Sequence, residues 1–412
     1  MKVIHINYSD NKGGAAKAAY RLHRSLLEFK VNSIMFVNSS EKEDSSVIEV
    51  NSLFYKYIQR VKLKFSHFIA KFFLKTDNKI IHSLSIFPSA YVKKINSSDA
   101  DIVHLHWFQG ETISIKDIAK IKKPIIWTLH DMWGFCGSEH ISYDNRYLDG
   151  YLKTNRPHHE SGFDINRWTW LRKLKYWKRP ITIVTPSSWL NSSAKNSYLM
   201  KNWLIKRIPN CIDLNFWKPV NQNFSREIFN IPKDKKIILF GGAENDAYHK
   251  GFDLFKESME TLKNFNLNIE IVIFGNSNSE SLSNLAIPVR YIGILNDEFS
   301  LKALYSAADV TVIPSRQDNL PNVAIESQSC GTPVVAFRIG GLPDIVEHKK
   351  TGYLCNEFDT SDFAKGIRWV LDQDKTKLRN NAVQKINSNF SSKEVIKLYK
   401  ALYKKTINEF RK

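Results

Sequence analysis

The feature that most narrows the fold is a series of short apolar, β-branched runs alternating with stretches of helical spacing, which appears in the first half of the chain and starts again in the second. In the first half the runs are 2–8 (KVIHINY), 101–105 (DIVHL), 124–129 (PIIWTL) and 181–185 (ITIVT). They are short for helices and apolar throughout, the pattern of strands buried on both faces of a parallel sheet. Residues 15–29 carry helical spacing directly behind a glycine turn, so the chain opens with strand, glycine turn and helix, as doubly wound domains do. The alternation resumes at 236–242 (KIILFGG), with a helix predicted over 254–265 and strands over 269–275 and 289–295. A helix over 301–309 and strands over 310–314 and 332–337 continue it.

A chain of 412 residues exceeds one compact core. The fold class predicted is therefore α/β, with two Rossmann-like doubly wound domains facing across a cleft. The segment 208–220, with two prolines, is the joining candidate, which gives domains 1–207 and 208–390 and a separate C-terminal helix over 391–412. Ser391 and Glu394 stand at capping-box spacing at the start of that helix. Ligands of open parallel sheets bind beyond the carboxyl ends of the strands, so functional residues are sought in the loops at those ends.

Composition excludes some classes. Hydrophobic residues at 43% and charged ones at 25% describe a globular chain rather than a disordered one. No apolar run reaches the roughly 18 to 20 residues of a membrane span, and the first residues lack the apolar core of a signal peptide, so a cytoplasmic protein is expected. Cys136, Cys211, Cys330 and Cys355 are widely spaced, without a C-x-x-C pair, which supports neither a disulfide framework nor a zinc ribbon. Cys136, His140, His158 and His159 could gather around a metal, but a polar loop accounts for them as well, and no metal ligand is assigned. The net charge of +19 calls for an anionic partner: a nucleotide diphosphate, lipid headgroups or nucleic acid. Two stretches, 51–75 and 167–179, interleave lysine and arginine with aromatic residues, a chemistry suited to anionic lipid. Ordinary helices with aromatics inward and lysines outward would produce the same composition.

The residues that could carry chemistry cluster at predicted strand ends. Asp318 follows one strand, and Glu326 lies eight residues on within a predicted helix. Two carboxylates around one loop can accept hydrogen bonds from vicinal hydroxyls of a sugar or ribose. The segment 241–251 ends a strand in Gly241 and Gly242 and reaches Lys250, a backbone that can approach an anion followed by a mobile cation. Gly13 and Gly14 sit where the first strand turns into its helix, without the spacing of a dinucleotide fingerprint. His104, His106, His130 and Asp131 come after two further strands.

The order and spacing of these elements resemble glycosyltransferase family 4, the retaining group 1 transferases with the two-Rossmann GT-B architecture. The similarity rests on Asp318 and Glu326 with the run from Cys330 to Ala336 behind them, on DNLPN at 318–322 and on TLHDMW at 128–133. It is nearest to the colanic-acid, capsule and O-antigen type. The resemblance implies that Glu326 holds the ribose and Asp318 a hydroxyl of the donor sugar. Asn319, Leu320, Pro321, Asn322 and Val323 would touch sugar and diphosphate. Lys250, with Gly242, would stabilise the departing diphosphate, and Gly13 and Gly14 would lie close to donor or acceptor. His130 would stand beside the reacting sugar, with Asp131 orienting it or accepting from the acceptor hydroxyl. Family members carry an arginine where Ala243 stands, and Arg316, Lys206 and Arg207 are the replacement candidates. The C-terminal helix would cross back to the N-terminal domain.

The same resemblance implies a peripheral enzyme on the inner face of the cytoplasmic membrane. It would use a UDP- or GDP-sugar as substrate, a lipid-linked oligosaccharide as acceptor, no cofactor and no nucleic acid. Front-face displacement would keep the anomeric configuration and would not require a divalent metal. Nucleic-acid binding would explain the charge and aromatics but not the 318–336 pattern. A nucleotide-sugar-binding scaffold without turnover would explain an aspartate at 318 and the missing arginine.

Overall fold

The computed structural model describes residues 1–49, 53–75, 80–242, 247–276 and 287–412. Residues 243–246, which include Ala243, and residues 51 and 52 of the first basic and aromatic stretch lie outside the described residues. The chain forms two compact units, one of Met1–Asn210 with Val395–Lys412 and the other of Cys211–Glu394.

Unit 1 holds a seven-stranded sheet of β1 (Lys2–Ser9), β2 (Asn32–Ser39), β3 (Val47–Glu49), β4 (Ile102–Leu105), β5 (Ile125–Thr128), β6 (Thr182–Thr185) and β7 (Ile205–Arg207). Its order is β3-β2-β1-β4-β5-β6-β7, and every pairing is parallel. Unit 2 holds β8 (Lys236–Gly242), β9 (Ile269–Gly275), β10 (Val289–Gly293), β11 (Val310–Ile313), β12 (Val334–Phe337) and β13 (Gly352–Cys355). They are ordered β10-β9-β8-β11-β12-β13, again all parallel. Each unit is thus a Rossmann-like doubly wound sheet, as the sequence predicts. In each, the chain winds outward from a central strand and then starts again on that strand's other side, at β1/β4 and at β8/β11. Those are the points where strand-end loops diverge and leave a crevice.

The sequence explains the layers. β9 is buried at every position, so helices must cover both of its faces. The helix Phe252–Lys263 presents Phe255, Met259 and Leu262 at helical spacing, and Phe255 stacks on Phe240 of β8 with ring centroids 4.6 Å apart. Each such side chain contributes on the order of 2 kcal/mol through burial. A buried clamp closes unit 2: the Asp309 carboxylate accepts from Arg226 Nη2, the Ile237 amide and Lys375 Nζ, each at 2.7 Å. Burial pushes this carboxyl up, but Lys375, the Ile237 amide and Arg226 outweigh it and hold it below the usual range.

The two basic and aromatic stretches part company. The helix Leu53–Phe73 exposes Phe54, Tyr57, Val61, Phe65, Phe68 and Phe72, which succeed one another by three or four residues and so share one face. Its inner side is partly polar: Gln59 Nε2 donates to the carbonyls of Gly110 (3.1 Å) and Glu111 (2.7 Å), and Ser66 Oγ donates to Glu111 Oε1 (2.7 Å), while Ala70 packs with Leu84 and Ile165. The helix Ile165–Tyr176 does the opposite. Trp170 and Lys173 are buried, as is Trp177 just beyond it, and Lys173 Nζ donates to the carbonyls of Trp133, Cys136 (2.9 Å) and Gly137 (2.6 Å). Residues 167–179 therefore supply core and loop support, because their buried lysine is consumed by buried carbonyls. Among the described residues no helix is long and apolar enough to cross a membrane.

The helix Ser392–Arg411 sets Tyr399 and Tyr403 against the sheet of unit 1. Tyr403 Oη lies 2.7 Å from His104 Nδ1, and Tyr399 Oη lies 3.0 Å from Thr128 Oγ1.

Candidate functional site

In unit 2 the predicted donor residues gather beyond the carboxyl ends of β8 and β11. β8 ends in Gly242, and after the segment 243–246 one 3-10 turn, Tyr248–Lys250, carries the lysine. Gly251 comes next at φ +69°, and a Cβ there would collide with the Pro314 carbonyl. Only glycine lets this turn lie against the loop after β11 without strain. The Arg316 amide donates to the His249 carbonyl at 2.8 Å and fixes the same approach. Lys250 Nζ thereby reaches Asp318 Oδ2 at 2.8 Å. From the other side Gly340, at φ +52°, backs directly onto Asp318, whose carbonyl accepts from the Gly341 amide at 3.1 Å.

The loop runs through Asn319, Leu320 and Pro321 into the helix Asn322–Ser329, whose first turn includes Val323. That first turn carries the positive end of the helix dipole. Glu326, one turn in, is 4% exposed, and Tyr305 Oη donates to its Oε2 at 3.0 Å. Tyr305 belongs to the helix Glu298–Ala307, and nothing in the sequence pattern singles it out as a partner of Glu326. Arg316 is committed elsewhere: it grips Asp253 through Nη1 (2.6 Å) and Nη2 (2.5 Å) and stacks over the Tyr248 ring at 4.3 Å. Arg207 donates to Ser188 Oγ at 2.8 Å within unit 1.

In unit 1 the candidates stand beyond β1, β4 and β5. Gly13, at φ +85°, opens the helix Gly13–Glu28, and Gly14 lies in its first turn. Lys12 and Asn11 beside them are both drawn to Glu41, at 3.4 and 3.2 Å. His104 lies in β4 with His106 just past its end, and His130 and Asp131 lie just past β5. His106 Nδ1 is 3.2 Å from His130 Nε2.

Beyond β5, His106 faces His130 and His140 faces Asp131. Asp131 Oδ2 lies 2.6 Å from His140 Nδ1 and accepts from Trp107 Nε1 at 3.0 Å, while Oδ1 accepts from the Trp133 amide at 2.9 Å. Its carboxylate therefore orients His140 and Trp107. His140 Nε2 lies 2.8 Å from Ser83 Oγ, which completes a network that sequence spacing alone does not reveal. Burial pushes Asp131 up, but the charge and hydrogen bond of His140 and the Trp133 amide prevail and hold it below the usual carboxylate range. Burial lowers His130 to about 4 despite the opposing pull of Asp131, and it drives His104 and His106 well below the ordinary histidine value. These imidazoles are neutral at pH 7.

Among the described residues one group brings metal-type ligand atoms together, His5, His104 and His106, with nitrogens within 4.8 Å of one another. Both His104 nitrogens already face hydroxyls, of Tyr403 at 2.7 Å and Thr128 at 2.8 Å. Cys136, His140, His158 and His159 form no such group.

Residues 12–216 match the model of glycosyltransferase family 4, and residues 221–388 match that of the glycosyl transferases group 1. The chain belongs to this glycosyltransferase family. Among curated members of the family, the D-inositol 3-phosphate glycosyltransferase of Mycolicibacterium smegmatis is 28% identical over 211 residues, 48% of this chain and 47% of that protein. The chain thus spans about half the length of the curated relatives it matches. Solved structures align over nearly the whole chain. Sucrose-phosphate synthase from Thermosynechococcus elongatus superposes with a TM-score of 0.69 at 18% identity, over 99% of this chain and 100% of that one. Anabaena HepE, solved in complex with UDP-glucose, gives 0.63 at 14% identity over 98% and 99%. The fold is GT-B.

Proposed function

We propose that the protein is a retaining glycosyltransferase that takes a sugar from a nucleotide-sugar donor, a UDP- or GDP-sugar, and adds it to a surface polysaccharide growing on a polyprenyl diphosphate. The observation that carries this reading is the convergence of Lys250, Asp318 and the buried Glu326 beyond β8 and β11. That arrangement offers a cation for a diphosphate and two carboxylates for hydroxyls, at the point where such sheets bind nucleotides. The HepE complex with UDP-glucose supports a UDP-linked donor. In the proposed reaction the bond from the anomeric carbon to the diphosphate oxygen breaks, and its electron pair leaves with the diphosphate. The acceptor oxygen attacks the same face, and its proton passes to the departing diphosphate. The residues act by positioning and by stabilising developing negative charge. In the structure Asp318 neutralises Lys250, so donor binding replaces that contact with sugar hydroxyls on one partner and phosphate oxygens on the other.

The outward aromatic stripe of the helix Leu53–Phe73 supports a membrane-borne acceptor of the capsule or O-antigen kind. Lys56, Arg60, Lys62, Lys64 and Lys71 accompany it, and the helix contains no acid, so rings can sit at headgroup depth among anionic lipids. The deciding experiment is calorimetric titration of UDP-, GDP- and ADP-sugars into wild type, Lys250→Ala and Glu326→Ala. Micromolar binding of one donor, weakened on the order of 100-fold in both variants, is the expected result. Failure of every donor to bind, even with membrane extract present as a source of acceptor, overturns the reading.

A further inference from the structure

Lys250 stands on the short 3-10 turn Tyr248–Lys250, and so small a piece holds its shape only through what packs against it. Arg316, on the same loop as Asp318, supplies that support in several ways at once. Its amide donates to the His249 carbonyl at 2.8 Å, and its Nη1 donates to the Tyr248 carbonyl at 3.1 Å. Its guanidinium lies over the Tyr248 ring, 4.3 Å from the centroid. Nη1 and Nη2 also fork onto the Asp253 carboxylate, at 2.6 and 2.5 Å, and Asp253 lies in the first turn of the helix Phe252–Lys263. The turn is thus fastened both to the loop that carries Asp318 and to the helix that follows it.

Exposure separates the two parts an arginine could play here. The Arg316 side chain is 14% exposed, whereas that of Asp253 is 63% exposed. An ion pair whose acid faces water adds little stability, so its consequence is geometric: Asp253 keeps the guanidinium plane against the Tyr248 ring. The hydrogen bond from Arg316 in turn holds the Asp253 carboxyl below the usual range, and the fork persists at neutral pH. To reach a phosphate, Arg316 would have to surrender the fork, the carbonyl and the ring together. A lysine at 316 could supply the same charge but not the fork, since an ammonium is a point charge without a plane.

We propose that Arg316 is a positioning residue for the diphosphate site: it sets the turn Tyr248–Lys250 so that Lys250 stands ready beside Asp318, and it does not itself touch the phosphates. The bracing follows from the contacts alone, while its meaning for the diphosphate rests on Lys250 being a phosphate ligand. The arginine that the sequence offers as a second phosphate cation thereby acts through the first.

The first test needs no ligand. Trypsin cleaves after Lys250 only when the turn opens, so cleavage of that bond in the folded full chain should quicken on the order of 10-fold in Arg316→Lys and in Asp253→Asn. Cleavage after Lys385, in the helix Lys375–Phe390 of the same unit, should keep its rate. An unchanged rate at Lys250 in either variant overturns the proposal, and so does an equal rise at both bonds. The second test is calorimetry with UDP and GDP on wild type, Arg316→Lys, Lys250→Ala and the double variant. Arg316→Lys should weaken nucleotide binding about 10-fold, whereas in the Lys250→Ala background the same substitution should cost less than about 2-fold. Wild-type affinity in Arg316→Lys overturns the proposal. A second full loss on top of Lys250→Ala also overturns it, by showing direct contact with phosphate. Asp253→Asn separates the two parts again: a brace weakens binding when its anchor goes, and a direct ligand released from Asp253 keeps or gains affinity. If neither nucleotide binds wild type, the proposed donor site falls, and the cleavage rates alone decide the brace.

Discussion

The two units share one winding order and an apolar core, and differ in the polar residues buried with it. The sheet of unit 1 carries His5, Asn7, His104, Thr128 and Thr185 inside it, with His23 and His106 packed beside it. The sheet of unit 2 is filled by Ile, Val, Leu and Phe, and its charges are drawn into pairs such as Asp309 with Arg226 and Lys250 with Asp318. One topology therefore accommodates two additions to an apolar core: a row of neutral polar side chains in unit 1, and a buried Asp309–Arg226 clamp in unit 2.

The sharpest way to break the contrast is to remove a clamp. Asp309→Ala leaves Arg226, which is buried, without its carboxylate, and should cost unit 2 about 3 to 5 kcal/mol. Segment-resolved hydrogen exchange checks this: protection should collapse over 236–242 and 310–313 while 2–9 and 102–105 keep theirs. Equal loss in both units would show that the clamp is not local.

Acid sharpens the contrast from the other side. Burial lowers His23, His82 and His130 to about 4 and takes His5, His104 and His106 well below their ordinary value. All six belong to unit 1. As pH falls through about 6.5 the unfolded chain takes up protons that the folded unit refuses, so stability is lost between about pH 6.5 and 4. The buried His23 and His82 should each contribute on the order of 3 kcal/mol across that window. Glu139, raised chiefly by burial, pulls the other way and offsets one of the six. Unit 2 has Asp309 held below the usual carboxylate range, a contribution lost only below about pH 4. Hydrogen exchange at pH 5 should therefore open unit 1 first, and simultaneous opening of both units would refute the assignment.

The smallest effect on the fold belongs to the aromatic stripe. Replacing Phe65, Phe68 and Phe72 together with serine should leave the melting temperature within about 2 °C, because all three are exposed. Sedimentation with phosphatidylglycerol vesicles should fall by at least about 10-fold. A large drop in melting temperature would instead place those rings in the core.

How much of this is legible beforehand depends on what the residues say locally. The strands at 2–9, 236–242 and 269–275 are apolar enough to announce themselves, and the functional candidates sit at strand ends as the winding rule requires. β2 escapes notice because Asn32, Ser33, Asn38 and Ser39 dilute its apolar centre, and β13 because Gly352–Cys355 is only four residues long. In composition the segments 51–75 and 167–179 look alike. Which face turns inward is decided by partners far along the chain, Gly110 and Glu111 for one and the carbonyls of 133–137 for the other. The same distance hides the contact of His106 with His130, the engagement of Asp131 by His140 and the contact of Tyr305 with Glu326. Each needs two strands or helices brought together before the pairing exists. Gly340 is visible as a glycine, but not as the residue whose missing side chain lets Asp318 lie where it does.

The composition of unit 1 also sets a timetable. Its last members, Val395–Lys412, are synthesised after the whole of unit 2. Until Tyr403 and Tyr399 leave the ribosome, His104 and Thr128 lack the hydroxyls that face them in the finished molecule. The first half of the chain thus waits, with a buried polar row incomplete, for the final turns of the last helix. A chain stopped a dozen residues early contains every residue of unit 2 and Tyr399, but leaves His104 without the Tyr403 hydroxyl.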